Sequence, residues 1–174
     1  MRTYRLVLLI LYIIIITSCE KDDICPESTQ TTPQLVVTFY DVLDPQQSKI
    51  VESLAVYAIK DSELILIENI NGINTDSIAI PLRNDIGESN FRFIKNYSVE
   101  NNIIFGDLNH VYIDYEMTDV FISRACGFIT NYSILSLAPY DILQDPPVVG
   151  WIGGYEIVNP IVTNENQAHV KILH

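Results

Sequence analysis

The side chains whose types and spacing point to chemistry are three histidines, a central group of carboxylates, one arginine beside a cysteine, and a tryptophan flanked by glycines. His110, His169 and His174 would serve as bases or metal ligands. No two of them stand at i, i+2 or i+4 with a carboxylate in metal-site spacing, so they are expected at the surface and no metal is expected. Asp114, Glu116 and Asp119 would suit glycoside hydrolysis, which needs two carboxylates at a set separation. Among 22 acidic residues, however, such a group arises readily as a solvated face. Asp and Asn gather in the turns at Asn69 to Asp76 and at Asn84-Asp85, where calcium would find ligands, but the D-x-D-x-D-G pattern is missing. Ser123 and Ser133 lack a G-x-S-x-G elbow. Arg124 shares a strand face with Val120 and Ile122, and is expected to be partly buried against a carboxylate such as Glu116 or to recognise a ligand. Trp151, with Gly150, Gly153, Gly154 and Tyr155 around it, reads either as a contact patch for a partner or glycan or as a lid folded back on the core. Arg124, Trp151 and Tyr155 are therefore the candidate binding patch. No catalytic residue and no cofactor is assigned, and a non-enzymatic role is expected.

The elements that would position these residues are short β-branched and aromatic runs separated by Asn, Asp, Gly and Pro. Leu35, Val37 and Phe39 alternate with polar or smaller partners, as in a half-buried strand. Leu54 to Ile59 and Leu64 to Ile67 form a hairpin across Lys60 to Glu63. Ser77 to Leu82 is a strand whose Pro81 cannot donate to a ladder, which places it at an edge or a strand end. Phe91 to Ile94 and Ile103 to Phe105 follow. His110 to Glu116 and Val120 to Arg124 are expected as two strands joined at Met117-Thr118-Asp119. Phe128 to Leu137, Ile157 to Val162 and Val170 to Leu173 complete the set. About eight or nine strands at this spacing predict an all-β antiparallel sandwich, Ig-like or Greek-key, with a small β-barrel as the alternative.

The first residues carry an address. Arg2 and Arg5 precede an apolar run from Leu6 to Ile16 and the small pair Thr17-Ser18, the order of a secretory signal peptide. The run is about half the ~20 apolar residues a membrane span needs. Ile16-Thr17-Ser18-Cys19 resembles the lipobox of bacterial lipoproteins, which implies cleavage after residue 18 and lipidation of Cys19. Glu20-Lys21-Asp22-Asp23 resembles the surface-export signal of Bacteroidota lipoproteins, or else is a polar tether. Residues 1–18 are then the signal peptide, 19–34 a tether containing Pro26 and Pro33, and 35–174 a single sandwich domain. Removing Arg2 and Arg5 but none of the 22 acidic residues takes the formal charge from −12 to −14. That charge opposes binding to phosphate backbones, so nucleic acid is not an expected partner. With Cys19 lipidated, Cys25 and Cys126 remain as an even pair in an oxidising compartment. They are expected as a disulfide, with two free buried thiols as the alternative.

The run Cys19-Glu20-Lys21-Asp22-Asp23-Ile24-Cys25, with Thr32-Pro33 and the Leu35 to Asp41 strand, resembles a family of small Bacteroidota lipoproteins of unknown function. Ser123-Arg124-Ala125-Cys126-Gly127-Phe128 and the C-terminal Ile157-Val158-Asn159, Asn164-Glu165-Asn166 and Ala168 to Ile172 carry the same resemblance, while the 139 to 155 loop is spaced differently. The resemblance implies a lipid anchor and a role for the second cysteine, and adds no chemistry. The expected protein is held to the outer membrane by Cys19, facing the periplasm or the medium. There it would act as a binding or scaffold module for an envelope protein or glycan. A small glycan hydrolase and a calcium-stabilised adhesion module are the alternatives.

Overall fold

Alternation of β-branched and aromatic residues builds almost the whole chain into strands. The structure, a computed structural model, describes residues 24–139 and 150–174. The expected signal peptide, Cys19 and the Lys21-Asp22-Asp23 run lie outside the described residues. The strands are β1 (Leu35–Tyr40), β2 (Val51–Lys60), β3 (Glu63–Leu66), β4 (Ile73–Thr75), β5 (Ser77–Ile80), β6 (Glu88–Glu100), β7 (Ile103–Ser123), β8 (Gly127–Ala138), β9 (Gly154–Ile157), β10 (Ile161–Val162) and β11 (Val170–Leu173). The described residues divide into two compact units, one of 24–31 with Val120–Ile129 and the other of Thr32–Asp119 with 130–139 and 150–174.

The second unit holds the core. A four-stranded sheet of order β5-β1-β11-β9 lies against a larger sheet of order β10-β8-β7-β6-β2-β3, with β4 paired to β2. Leu35, Val37 and Phe39 of β1, Ile78 and Ile80 of β5, and Val170 and Ile172 of β11 meet Val56, Phe91, Phe93, Val111, Ile113 and Ile134 from the larger sheet. Each such side chain removed from water stabilises by about 1.5–3 kcal/mol. The fold is an all-β sandwich and not a closed barrel. Its strands are mostly antiparallel, but β1 and β11 pair in parallel, with Val37 opposite Val170. β5 is an edge strand and ends just before Pro81, in keeping with the donor that proline lacks.

Two tight hairpins follow from residues that accept left-handed backbone. Asp61 and Ser62 (φ 51° and 70°) join β2 to β3, and Asn101 and Asn102 (φ 50° and 63°) join β6 to β7. Paired positive φ values of this kind match the right-handed twist of the flanking strands. The turn expected at Met117-Thr118-Asp119 does not occur, because β7 runs unbroken through it. Thr118 and Val120 favour extended backbone, and the Asp119 carboxylate accepts a 2.8 Å hydrogen bond from the Thr130 hydroxyl. The chain reverses at Arg124-Ala125-Cys126 instead. There Ser123 Oγ accepts the Cys126 N–H at 3.0 Å, and Gly127 takes φ 71°.

In the first unit, Cys25 and Cys126 form a disulfide with their Cα atoms 4.9 Å apart. The thiol alternative is thereby set aside.

Candidate functional site

The outward side of the larger sheet is where apolar residues remain without a second layer. In β2 and β6, Val56, Phe91 and Phe93 point into the core, so Tyr57, Arg92 and Ile94 point away from it. Tyr57 stands opposite Leu66 on one side and Arg92 on the other, while Ile94 stands opposite Leu108. Ala55, Tyr57 and Ile94 form a second small buried cluster, with Leu66 and Tyr97 packed on it.

Beyond Lys95 the β6–β7 ladder shifts register. Asn96 adopts φ 56° and Gly106 φ 141°. A Cβ at residue 106 would lie 2.6 Å from Ile94 Cγ2 and 2.7 Å from the Lys95 carbonyl oxygen, so only glycine lets the strands approach here. The distal hairpin is fastened to β2. The Ser53 hydroxyl donates to the Tyr97 carbonyl at 2.7 Å, and the hydroxyls of Tyr57 and Tyr97 lie 2.7 Å apart. Burial, with Tyr97 reinforcing it, pushes the Tyr57 phenol up to about 12, so it is neutral at any physiological pH.

The outcome is a cleft of about 230 Å³ lined by Leu64, Ile94, Ile104, Phe105 and Leu108, with Tyr57, Gly106 and Arg92 completing it. Leu64, Ile104, Phe105 and Leu108 are exposed. The Arg92 Nε atom is buried and, among the described residues, has no hydrogen-bond partner. An apolar cleft with one convergent polar donor is the usual make-up of a small binding site. Its chemistry is to bury an apolar group beside the Arg92 guanidinium, whose N–H groups are donors only.

Of the carboxylates named above, Asp119 holds Thr130, and Asp76 and Asp85 hold partners in the turns, while Glu116 is exposed. The Tyr112 hydroxyl donates to Glu88 at 2.7 Å, and that carboxylate pushes the phenol up to about 12. Asp114 stands opposite Glu88 across the ladder. In the turns, the Arg83 guanidinium donates to both Asp85 oxygens at 2.8 and 2.7 Å, which brings the Asp85 carboxyl down to about 2. Asp76 accepts the Ser48 hydroxyl at 2.6 Å.

The candidate patch residues are found in separate settings. Arg124 lies exposed in the β7–β8 turn of the first unit, not partly buried in a strand, because the chain has already reversed there. Trp151 belongs to the second unit and packs back on the core. Its ring centroid is 6.3 Å from that of Phe39 and 5.5 Å from that of His174, and its indole N–H donates to the Phe93 carbonyl at 3.3 Å. Trp151 is thus a lid. Tyr155, on β9 opposite Ile172, is exposed.

The expectation of surface histidines fails for two of the three. His169 is fully buried and His174 nearly so. His169 Nδ1 accepts the Val36 N–H at 3.0 Å, and its backbone N–H donates to the Val36 carbonyl at 2.9 Å, which fastens the start of β11 to β1. Burial lowers the pKa of both rings, against the opposing pull of the Asn164 carbonyl and Glu165 on His169. A group with a lowered cationic pKa binds fewer protons folded than unfolded, so stability is complete above the unfolded value of 6.5 and drains away as pH falls below it. Urea midpoints should fall between pH 7.5 and 5.5. His169→Gln should flatten that slope, and a slope as steep as in the native chain would show that His169 does not carry it.

Asn109 was not singled out by the sequence. It is buried, its amide donates to the Pro139 carbonyl at 2.7 Å, and its side-chain oxygen accepts the Ile152 N–H at 2.9 Å. Both flanks of residues 140–149 are thereby held by one side chain.

Residues 53–174 match a family of unknown function (DUF6452). No curated protein and no solved structure matches the chain.

Proposed function

The chain belongs to that family of unknown function, and on this footing we propose that it is a lipid-anchored, non-enzymatic binding module of the cell envelope. Cys19 tethers it to the outer membrane, and the cleft between β3 and the bent β6–β7 hairpin holds an apolar segment of a partner protein. The observation that carries the reading is the pairing of exposed Leu64, Phe105 and Leu108 with the buried, unpartnered Nε of Arg92. A peptide segment supplies both complements, an apolar side chain for the cleft and a backbone carbonyl for the guanidinium. The lipobox-like Ile16-Thr17-Ser18-Cys19 supports the anchor.

The test compares the native chain with Phe105→Asp in affinity purification from detergent-solubilised envelope. Phe105 is exposed, so the variant should keep the native melting temperature. A stoichiometric partner should co-purify with the native chain and be reduced at least tenfold with the variant. Equal recovery by both would reject the cleft as the binding face. Cys19→Ala should move the protein from the membrane fraction to the soluble one, and full retention in membranes would reject the anchor.

A further inference from the structure

The described part of the first unit carries an apolar surface of its own. Phe121 and Phe128 are 56% and 66% exposed, and their rings meet edge to face with centroids 5.2 Å apart. Ile24 is 79% exposed and Val120 is 36% exposed in the same unit. In a chain of net charge −12, Glu27 and Arg124 are the only charged residues among the described residues of this unit. Contiguous exposed aromatics rarely occur on a soluble surface without something to cover them.

The covalent geometry says what is within reach. Cys19 precedes Cys25 by six residues, which even fully extended span roughly 20 Å. The disulfide sets Cys126 beside Cys25, with 4.9 Å between Cα atoms. An acyl-modified Cys19 seated in a bilayer would therefore keep the Arg124 to Cys126 turn within roughly 20–25 Å of the headgroups. At such a tether length a weak second contact becomes intramolecular, with an effective concentration in the millimolar range. Two phenylalanines in contact, with an exposed isoleucine in the same unit and an arginine able to reach the headgroups along its aliphatic stem, suit a lipid interface. They suit a folded protein partner less, because the tether already fixes the bilayer as the nearest large surface.

We propose that the β7–β8 turn region, through Phe121, Phe128 and Ile24, docks on the lipid bilayer beside the anchored Cys19. The inference rests on the lipid-anchor reading given above. Docking makes the anchor a two-point attachment.

The mature lipidated protein is reconstituted in phosphatidylethanolamine–phosphatidylglycerol vesicles containing brominated acyl chains. Phe121→Trp, Phe128→Trp and, as a control in the second unit, Leu43→Trp are each read as the difference from the parent chain, whose Trp151 supplies the background. Leu43 is 91% exposed, so its replacement is tolerated. Vesicle flotation is measured on the same samples. The expected result is flotation of all three, with quenching at residues 121 and 128 at least twice that at residue 43. Flotation with no quenching at 121 and 128, or with equal quenching at 43, overturns the docking and leaves the anchor standing. Failure to float overturns both.

Discussion

A chain carrying Cys126→Ser will melt roughly 5–15 °C below the native protein, the shift that a loss of about 2–5 kcal/mol produces in a domain of this size. The bridge closes a loop of 101 residues, and cross-linking ends so far apart removes much of the conformational freedom of the unfolded chain. Adding reductant to the native protein should reproduce the loss, whereas the serine variant should not respond to reductant. A native chain indifferent to reductant would show that the bridge adds nothing. The bridge also holds Cys25 beside the β7–β8 turn, so the variant should lose the lipid quenching at residue 121 as well as thermal stability.

Asn109→Ala will lower the unfolding free energy by about 2–5 kcal/mol. Truncation leaves the buried Ile152 N–H and the part-buried Pro139 carbonyl without their partner, and each unsatisfied group costs about 1–3 kcal/mol. Trp151 precedes Ile152 and reports the change directly, since loss of the bond that places it should shift its emission to the red. Gly150→Ala should disturb the same place, because a Cβ there would collide with the Asn109 side chain and the Leu108 carbonyl. Urea titration with tryptophan emission measures both variants. A midpoint within experimental error of the native one would mean that water replaces the asparagine without loss.

What was legible in the sequence and what was not divide along the range of the interactions. Leu35, Val37 and Phe39 announce β1 because alternation is local. Pro81 announces a strand end because its missing donor is its own property. The cysteine pair is legible only once Cys19 is read as a lipid site, because an even pair then remains without any knowledge of the fold. Met117-Thr118-Asp119 reads as a turn because polar residues at a run's midpoint look alike whether they reverse the chain or bond to a neighbouring strand, as Asp119 does to Thr130. His169 reads as a surface residue because its partner, Val36, lies 133 residues away. The cleft was hidden for a subtler reason. Leu54-Ala55-Val56-Tyr57-Ala58-Ile59 is apolar on both faces, and such a run looks the same whether its second face meets a covering layer or a partial one. The local signs of the bend are Asn96 and Gly106, whose backbone φ angles the register shift requires. Neither was distinguishable from an ordinary turn residue until the ladder was seen.

The parallel pairing of β1 with β11 has a consequence in time. β11 sits between β1 and β9 in the smaller sheet, so that sheet lacks an interior strand until Val170–Leu173 has been synthesised. Leu35, Val37 and Phe39 emerge from the ribosome more than a hundred residues before the strand that seals them, and pairings across such separations form late and slowly. A growing chain of this design leaves the smaller sheet incomplete, and the apolar face of β1 uncovered on that side, until β11 has been made.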